Sequence, residues 1–396
     1  MFYSFINHLT NRIFVNLSTK TTMAGIYFHI PFCKTRCTYC DFYTQTDFSL
    51  QQDVVNAMLR EIEIRKTYLS EEVETIYFGG GTPSTLSAAD IKNLLNAVSS
   101  FFSVNEDAEI TIEANPDDLS AGYLKELIKT GVNRLSIGIQ SVDDLQLKAI
   151  NRRHTARAAL DSINVAHQTG FENISIDLIF GLPGQSLESW KMQVDMAVKL
   201  RVQHISAYGL TYEQGTPLWH RMKSGKIIPT DDDTMIEMYN YLVETCSKSN
   251  FEHYEISNFA KPGHRSRHNS AYWKQRPYLG IGPAAHSYDG NSRQWNVSSN
   301  KKYCSFISEN QPFFEKEILT LPDKYNDFVM VSMRTIEGID LESLKNNFGE
   351  KLHDFCLQSA EKYIQDSKIV RKFNFLRLTS EGIHISDKII ADMMYV

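Results

Sequence analysis

Between residues 26 and 212 short apolar, β-rich runs alternate with amphipathic helical windows, and that alternation limits most narrowly what the chain can fold into. Strand-like runs cover 26–30, 75–78, 109–113, 134–139, 175–180 and 204–210. They are rich in Ile, Val, Tyr and Phe, and several are bounded by Gly, Pro or Asn. In the window 88–101, Ile91, Leu94, Leu95 and Val98 fall on one helical face. Ser87 stands where an N-cap belongs, and Gly131 and Gly170 stand where helices should end. Six apolar strands separated by helices predict an α/β fold with a parallel sheet under a helical cover. An incomplete (β/α)6 barrel and a doubly wound open sheet both satisfy the pattern. Either one gathers ligands at the C-terminal ends of its strands.

The remainder divides by texture. Residues 213–300 are irregular and rich in Tyr, Trp, His and Gly. Beyond them a helix is expected over 325–333, a turn over 334–340, further helices over 341–346 and 352–366, and a β-pair over 369–378. Helices followed by a small β-ribbon suggest a winged-helix-like module. The expected divisions are therefore 1–22, 23–300 and 301–396. The first 22 residues carry Arg12 and Lys20 and no acid, but Asn7, His8, Asn11 and Asn16 interrupt any apolar run. They read as a leader or a start-site artefact ahead of Met23. With 42% apolar and 22% charged residues the chain can bury a large core. A net charge of −6 exerts no general pull on nucleic acid, and no apolar run is long enough to span a bilayer.

The six cysteines are Cys33, Cys37, Cys40, Cys246, Cys304 and Cys356. Three lie in one C-x3-C-x2-C loop directly after the first strand, and the rest are scattered. A secreted disulfide scaffold would be shorter and denser in cysteine, so a reducing cytoplasm and a metal site are expected. Three thiolates on a short loop can each take one corner of an iron–sulfur cubane and leave its fourth iron open to a ligand. A structural zinc site closed by His29 is the plainer alternative. Cys246, Cys304 and Cys356 read as ordinary buried thiols.

Further polar phrases fall at successive strand ends. Gly79-Gly80-Gly81-Thr82-Pro83 follows the second strand, where glycines let backbone approach a ligand. Glu113 ends the third strand, Gln140 ends the fourth, and Arg152 lies in Asn-Arg-Arg-His. Asp177 interrupts an apolar strand, where a carboxylate is costly unless it is bonded; it is either a site residue or the buried partner of a structural arginine.

The cysteine loop resembles the signature of the radical S-adenosylmethionine (SAM) superfamily. The phrases after it resemble, in order, those of the anaerobic coproporphyrinogen III oxidase family over roughly residues 24–390. The resemblance implies a partial radical SAM barrel with a smaller C-terminal helical, winged-helix-like domain. It implies a [4Fe–4S] cluster on Cys33, Cys37 and Cys40. It also implies a SAM pocket lined by Tyr27, Gly80, Gly81, Thr82, Glu113, Gln140, Arg152 and Asp177, with Tyr39 counted beside them.

Two branches of that family differ in sequence. The decarboxylating oxidase carries a further cysteine two residues after the third, whereas Asp41-Phe42-Tyr43 follows Cys40 here. That departure argues against oxidase activity. His268-Asn269-Ser-Ala-Tyr272-Trp273 resembles the HNxxYW signature of the haem chaperone branch, called HemW. Imidazole ligates haem iron, Tyr and Trp offer flat faces, and Arg265, Arg267 and Lys274 offer charge to propionates. His268 alternatively reads as a satisfied structural histidine, and His286 is a second imidazole candidate. This resemblance implies haem as cofactor and an apo-haemoprotein, such as a respiratory cytochrome, as acceptor. It further implies a homodimer and visits to the inner-membrane surface, while the net charge argues for no nucleic-acid partner and the cysteine usage for a cytoplasmic location. The alternative is an oxygen-independent oxidase that turns propionates into vinyl groups. A SAM-binding regulatory protein without haem or radical chemistry is a third option.

Overall fold

The computed structural model describes residues 23–396; the segment expected as a leader lies outside them. Six parallel strands follow in chain order: β1 (Met23–Ile30), β2 (Glu72–Gly80), β3 (Val104–Ala114), β4 (Arg134–Gln140), β5 (Asn173–Phe180) and β6 (His204–Gly209). They lie side by side in that same order, which is the order of a barrel wall rather than of a doubly wound sheet. Helices join them, and the expected caps are present. Ser87 accepts from the Asp90 N–H, while Gly131 and Gly170 take positive φ beyond their helices.

The wall does not close. Past β6 the chain makes β7 (Glu252–Glu255) and β8 (Asn258–Ala260), and β8 runs antiparallel to β6. A short helix, Arg267–Trp273, then leads to β9 (Tyr278–Ile281), which pairs in parallel with β1 at the opposite edge. Antiparallel strands β10 (His286–Tyr288), β11 (Ser292–Asn296) and β12 (Phe314–Ile318) complete a sheet of twelve. The stretch 213–300 therefore holds five strands that its mixed composition concealed.

Strand alternation assigns the two faces. Ile26, Phe28, Ile76, Phe78, Ile112, Leu135, Ile137, Ile176 and Ile205 are buried against the helical shell. Each such side chain contributes roughly 1.5–3 kcal/mol. The lumen is instead polar. Register aligns Tyr27 with Tyr77, Tyr77 with Thr111, Glu113 with Ser136, and Asp177 with Ser206.

The first core reaches beyond residue 300. Helix Asn300–Ser308 packs Tyr303 and Ile307 into it, and β12 adds to its sheet, so the expected divide at 300/301 falls inside this unit. A second core begins at Tyr325 and includes Val329, Leu344, Cys356, Leu376 and Ile389. Its longer helices are Leu321–Met333, Leu341–Gln365 and Ser386–Met393, the last not anticipated. Gly349, at φ 82°, breaks the long helix between the two helices expected there. β13 (Ile339–Asp340), β14 (Ile369–Lys372) and β15 (Phe375–Leu378) supply the ribbon. Among the described residues, no helix is long and apolar enough to cross a membrane.

Candidate cofactor site

The loop after β1 is pinned at both ends and along its length. Cys33 N–H donates to Gln45 O at 2.9 Å, and Gln45 N–H donates to Pro31 O at 2.8 Å, closing the loop on itself. Thr38 N–H donates to Ile150 O, and Asn151 Nδ2 donates to Arg36 O at 2.8 Å. The glycine loop after β2 is stitched beside it: Gly81 N–H reaches Ile30 O and Thr82 N–H reaches Phe32 O, each at 2.8 Å. A Cβ on Gly81 would lie 2.7–2.9 Å from the backbone of Ile30 and Phe32, so only glycine allows this approach.

These loops form one lip of a cavity of about 540 Å³ at the C-terminal ends of the strands. Cys33, Cys37, Cys40 and Tyr39 line it, together with Gly80, Gly81, Thr82, Glu113, Gln140, Arg152 and Asp177. The structure thus brings together every residue expected at the cluster and SAM pocket except Tyr27. Tyr27 lies deeper in the lumen, its ring stacked on Tyr77 at 6.2 Å and its hydroxyl 3.2 Å from His29 Nδ1.

The arrangement suits an iron–sulfur cluster better than zinc. His29 Nε2 is 3.0 Å from Tyr43 O while Nδ1 meets Tyr27, so its imidazole is turned away from the cysteines. Three thiols on a cavity lip remain, flanked by donors: Thr82 Oγ1 lies 3.3 Å from Cys33 Sγ, and Arg152 Nη1 lies 3.5 Å from Cys37 Sγ. Such donors stabilise anionic sulfur. A cluster there would be held by Cys33, Cys37 and Cys40 and would supply one-electron reduction to a ligand on its open iron.

The floor of the cavity carries two carboxyls, those of Glu113 and Asp177. Burial raises the Glu113 carboxyl to about 7, although Tyr77 donates to its Oε1 at 2.8 Å. Burial likewise raises Asp177 to about 6, opposed by Ser206, by Arg134 and by Ser136, whose Oγ lies 3.3 Å away. Asp177 lines the cavity, and the charges of Arg134 and Arg152 both act on it. Arg152 is anchored by Asn115 Oδ1 at 2.6 Å and Gly138 O at 2.5 Å. Asn115 itself lines the cavity and was not singled out in the sequence. Gln140 adopts φ 61° where the β4–β5 register shifts, an outlier of the kind that re-aims a side chain at a site.

The HNxxYW residues lie at the other end of the lumen. His268 Nδ1 is 2.8 Å from Thr75 Oγ1, and Nε2 is 2.9 Å from the Tyr272 hydroxyl. Its backbone N–H donates to Glu109 at 3.1 Å, and its ring stacks on Tyr77 at 4.9 Å. Burial, then the charge of Arg134, lowers the imidazole to about 3. His268 is thus a satisfied plug under the barrel, with neither ring nitrogen free for iron. Trp273 instead lines a second cavity, of about 610 Å³, between the N-terminal ends of β1 and β2 and the C-terminal domain. Asn269 borders neither cavity, and its backbone N–H donates to the Ser266 cap. His286 borders neither and lies exposed on β10.

Comparison with known proteins fits this geometry. The Radical SAM superfamily profile matches residues 27–197. The HemN C-terminal domain profile matches 319–385, which agrees with a second unit starting after β12. The heme chaperone HemW of Bacillus subtilis (strain 168) is 36% identical over 91% of this chain and 96% of its own length. That of Lactococcus lactis (strain IL1403) is 32% identical over 92% and 95%. The chain belongs to the HemW family. The HemN structure from Escherichia coli, titled a coproporphyrinogen III oxidase and radical SAM enzyme, superposes with a TM-score of 0.82 at 21% identity. It covers 94% of this chain and 90% of that one. At that identity the likeness establishes the fold alone. Membership of the superfamily brings its [4Fe–4S] cluster and SAM, which accord with the three-cysteine lip and the polar cavity below it.

Proposed function

We propose that this protein binds haem and delivers it to an acceptor haemoprotein, with the cluster and SAM held at the opposite end of the same barrel. The observation that carries the reading is the match, over nearly the whole chain, to relatives named haem chaperones. Asp41 and Phe42 after Cys40, where the oxidase has a cysteine, support it. Haem is placed in the cavity beside Trp273, whose ring offers a flat face, rather than on the imidazole of His268. His268 and Tyr272 serve there as positioning residues that seat the helix bearing Trp273. The acceptor is an apo-haemoprotein such as a respiratory cytochrome, and the working unit is a homodimer. Phe42, 62% exposed beside the cluster loop, gives such an assembly an apolar contact.

The test is an anaerobic assay of protein reconstituted with iron and sulfide, given SAM, a reductant and coproporphyrinogen III. No protoporphyrinogen is expected, from a sample whose cluster is intact and which retains added haem. Multiple turnovers would make the protein an oxidase and the Trp273 cavity an accessory feature.

A further inference from the structure

The second cavity is lined by four cations, Arg265, Arg267, Lys274 and Arg276, and by three acids, Glu74, Glu252 and Glu337. They do not pair evenly. Arg265 holds Glu252 at 3.2 Å and Glu337 at 2.8 Å. Arg267 holds Glu74 at 3.0 Å and also donates to Asp107 O at 2.6 Å. All three acids are thus taken by two arginines. Lys274 and Arg276 are left with no carboxylate within 4 Å among the described residues.

Local structure puts these two cations beside Trp273. Helix Arg267–Trp273 ends in Lys274, and Gln275 takes φ 50°. Arg276 N–H donates back to Ala271 O at 3.0 Å and Gln275 N–H donates to Tyr272 O at 3.0 Å, the paired bonds of a Schellman termination. That turn folds Arg276 over the helix end. Two donors there are buried with no acceptor among the described residues: the Trp273 indole N–H and the Arg276 Nε–H. Buried unsatisfied donors are uncommon, and both of these belong to residues that line this cavity. A carboxylate answers both the missing acceptors and the unpaired charge.

We infer that Lys274 and Arg276, with the Trp273 indole N–H, grip the carboxylates of a planar macrocycle seated against Trp273. The inference rests on the haem reading above and deepens it: the ligand is recognised by its two propionates rather than by its iron. No histidine or cysteine lines this cavity among the described residues, so neither of those iron ligands holds the macrocycle there.

The test titrates reconstituted, cluster-loaded protein with haem and with haem dimethyl ester, following the Soret band. The unaltered protein is expected to bind the ester at least about tenfold more weakly than haem, since charge-assisted bonds of this kind are lost. The Lys274→Gln/Arg276→Gln variant should bind haem as weakly as the unaltered protein binds the ester, and should bind the ester unchanged. Its iron content should also be unchanged. Equal affinity of the unaltered protein for both ligands overturns the inference while leaving haem binding standing. Equal weakening of both ligands in the variant overturns it too. Failure of the unaltered, cluster-loaded protein to bind haem at all overturns the functional reading, and the inference falls with it.

Discussion

Tyr77 donates its hydroxyl to Glu113 Oε1 at 2.8 Å, on the floor of the cluster cavity. That bond favours the ionised carboxyl, yet burial outweighs it and leaves Glu113 near 7. The carboxyl is therefore half protonated at neutral pH and ready to respond to a cationic ligand. SAM carries a positive amino group and a sulfonium, so its binding favours the ionised form. Below pH 7 that ligand must displace a proton, and affinity falls as pH falls. Between pH 8 and 6 the loss should be about tenfold. Asp177, near 6, adds to the slope only below that value. Equilibrium dialysis of SAM on cluster-loaded protein checks this, with Glu113→Gln expected to bind more weakly and without the slope.

Removing one thiol from the lip should remove the cluster. Cys33→Ser, Cys37→Ser and Cys40→Ser are each expected to lose iron and sulfide almost completely on reconstitution. Cys246 and Cys356 are buried in the two cores, away from the cavity. Cys246→Ala and Cys356→Ala should keep full cluster content and lose only about 1–2 kcal/mol of stability. Cluster loss in either would show that a fourth cysteine takes part.

Gly81→Ala tests the stitch between the glycine loop and the cysteine loop. The new methyl would meet the Ile30 and Phe32 backbone at 2.7–2.9 Å, and backbone has no rotamer with which to yield. A cost of about 1–3 kcal/mol is expected from overpacking. Because the two loops must separate, cluster content and SAM affinity should fall together. Loss of stability with both retained would refute the coupling of the loops.

His268 sets an acid limit on the fold. Its folded value near 3 lies below the ordinary histidine value of about 6.5, so its neutral form is required in the native state. Its contribution is complete above pH 6.5 and is lost as pH falls, because the unfolded chain takes up a proton that the native chain refuses. At pH 5 the penalty is about 2 kcal/mol. His204, buried and 2.7 Å from the Tyr254 hydroxyl, is lowered for the same reason and adds a parallel slope. Denaturant unfolding between pH 7.5 and 5 should be less steeply pH-dependent in His268→Gln than in the unaltered chain. An identical slope would mean that His268 is already charged in the fold.

Much of this was legible in the residues because it is local. Cys33, Cys37 and Cys40 lie within eight positions, Gly79–Gly81 follow one strand, and each of the six strands of the barrel wall carries its own apolar run. What was hidden depends on partners distant in sequence. Strand β9 is four residues long and reads as a strand only beside β1. Arg134 and His204, each at most 2% exposed, sit in strands that read as apolar, and nothing local says what packs around them. The HNxxYW phrase was recognisable, but its geometry was not. Tyr272 meets one nitrogen of His268 from four residues on, but the other is occupied by Thr75, almost two hundred residues earlier.

The helix Arg267–Trp273 leaves β8 on one edge of the open wall and enters β9 on the other. It is a tie-rod across the mouth of that wall. The strand beside β9 is β1, whose end carries the cysteine loop. The cavity beside Trp273 and the cysteine loop are thus joined through one strand pair, β9 with β1.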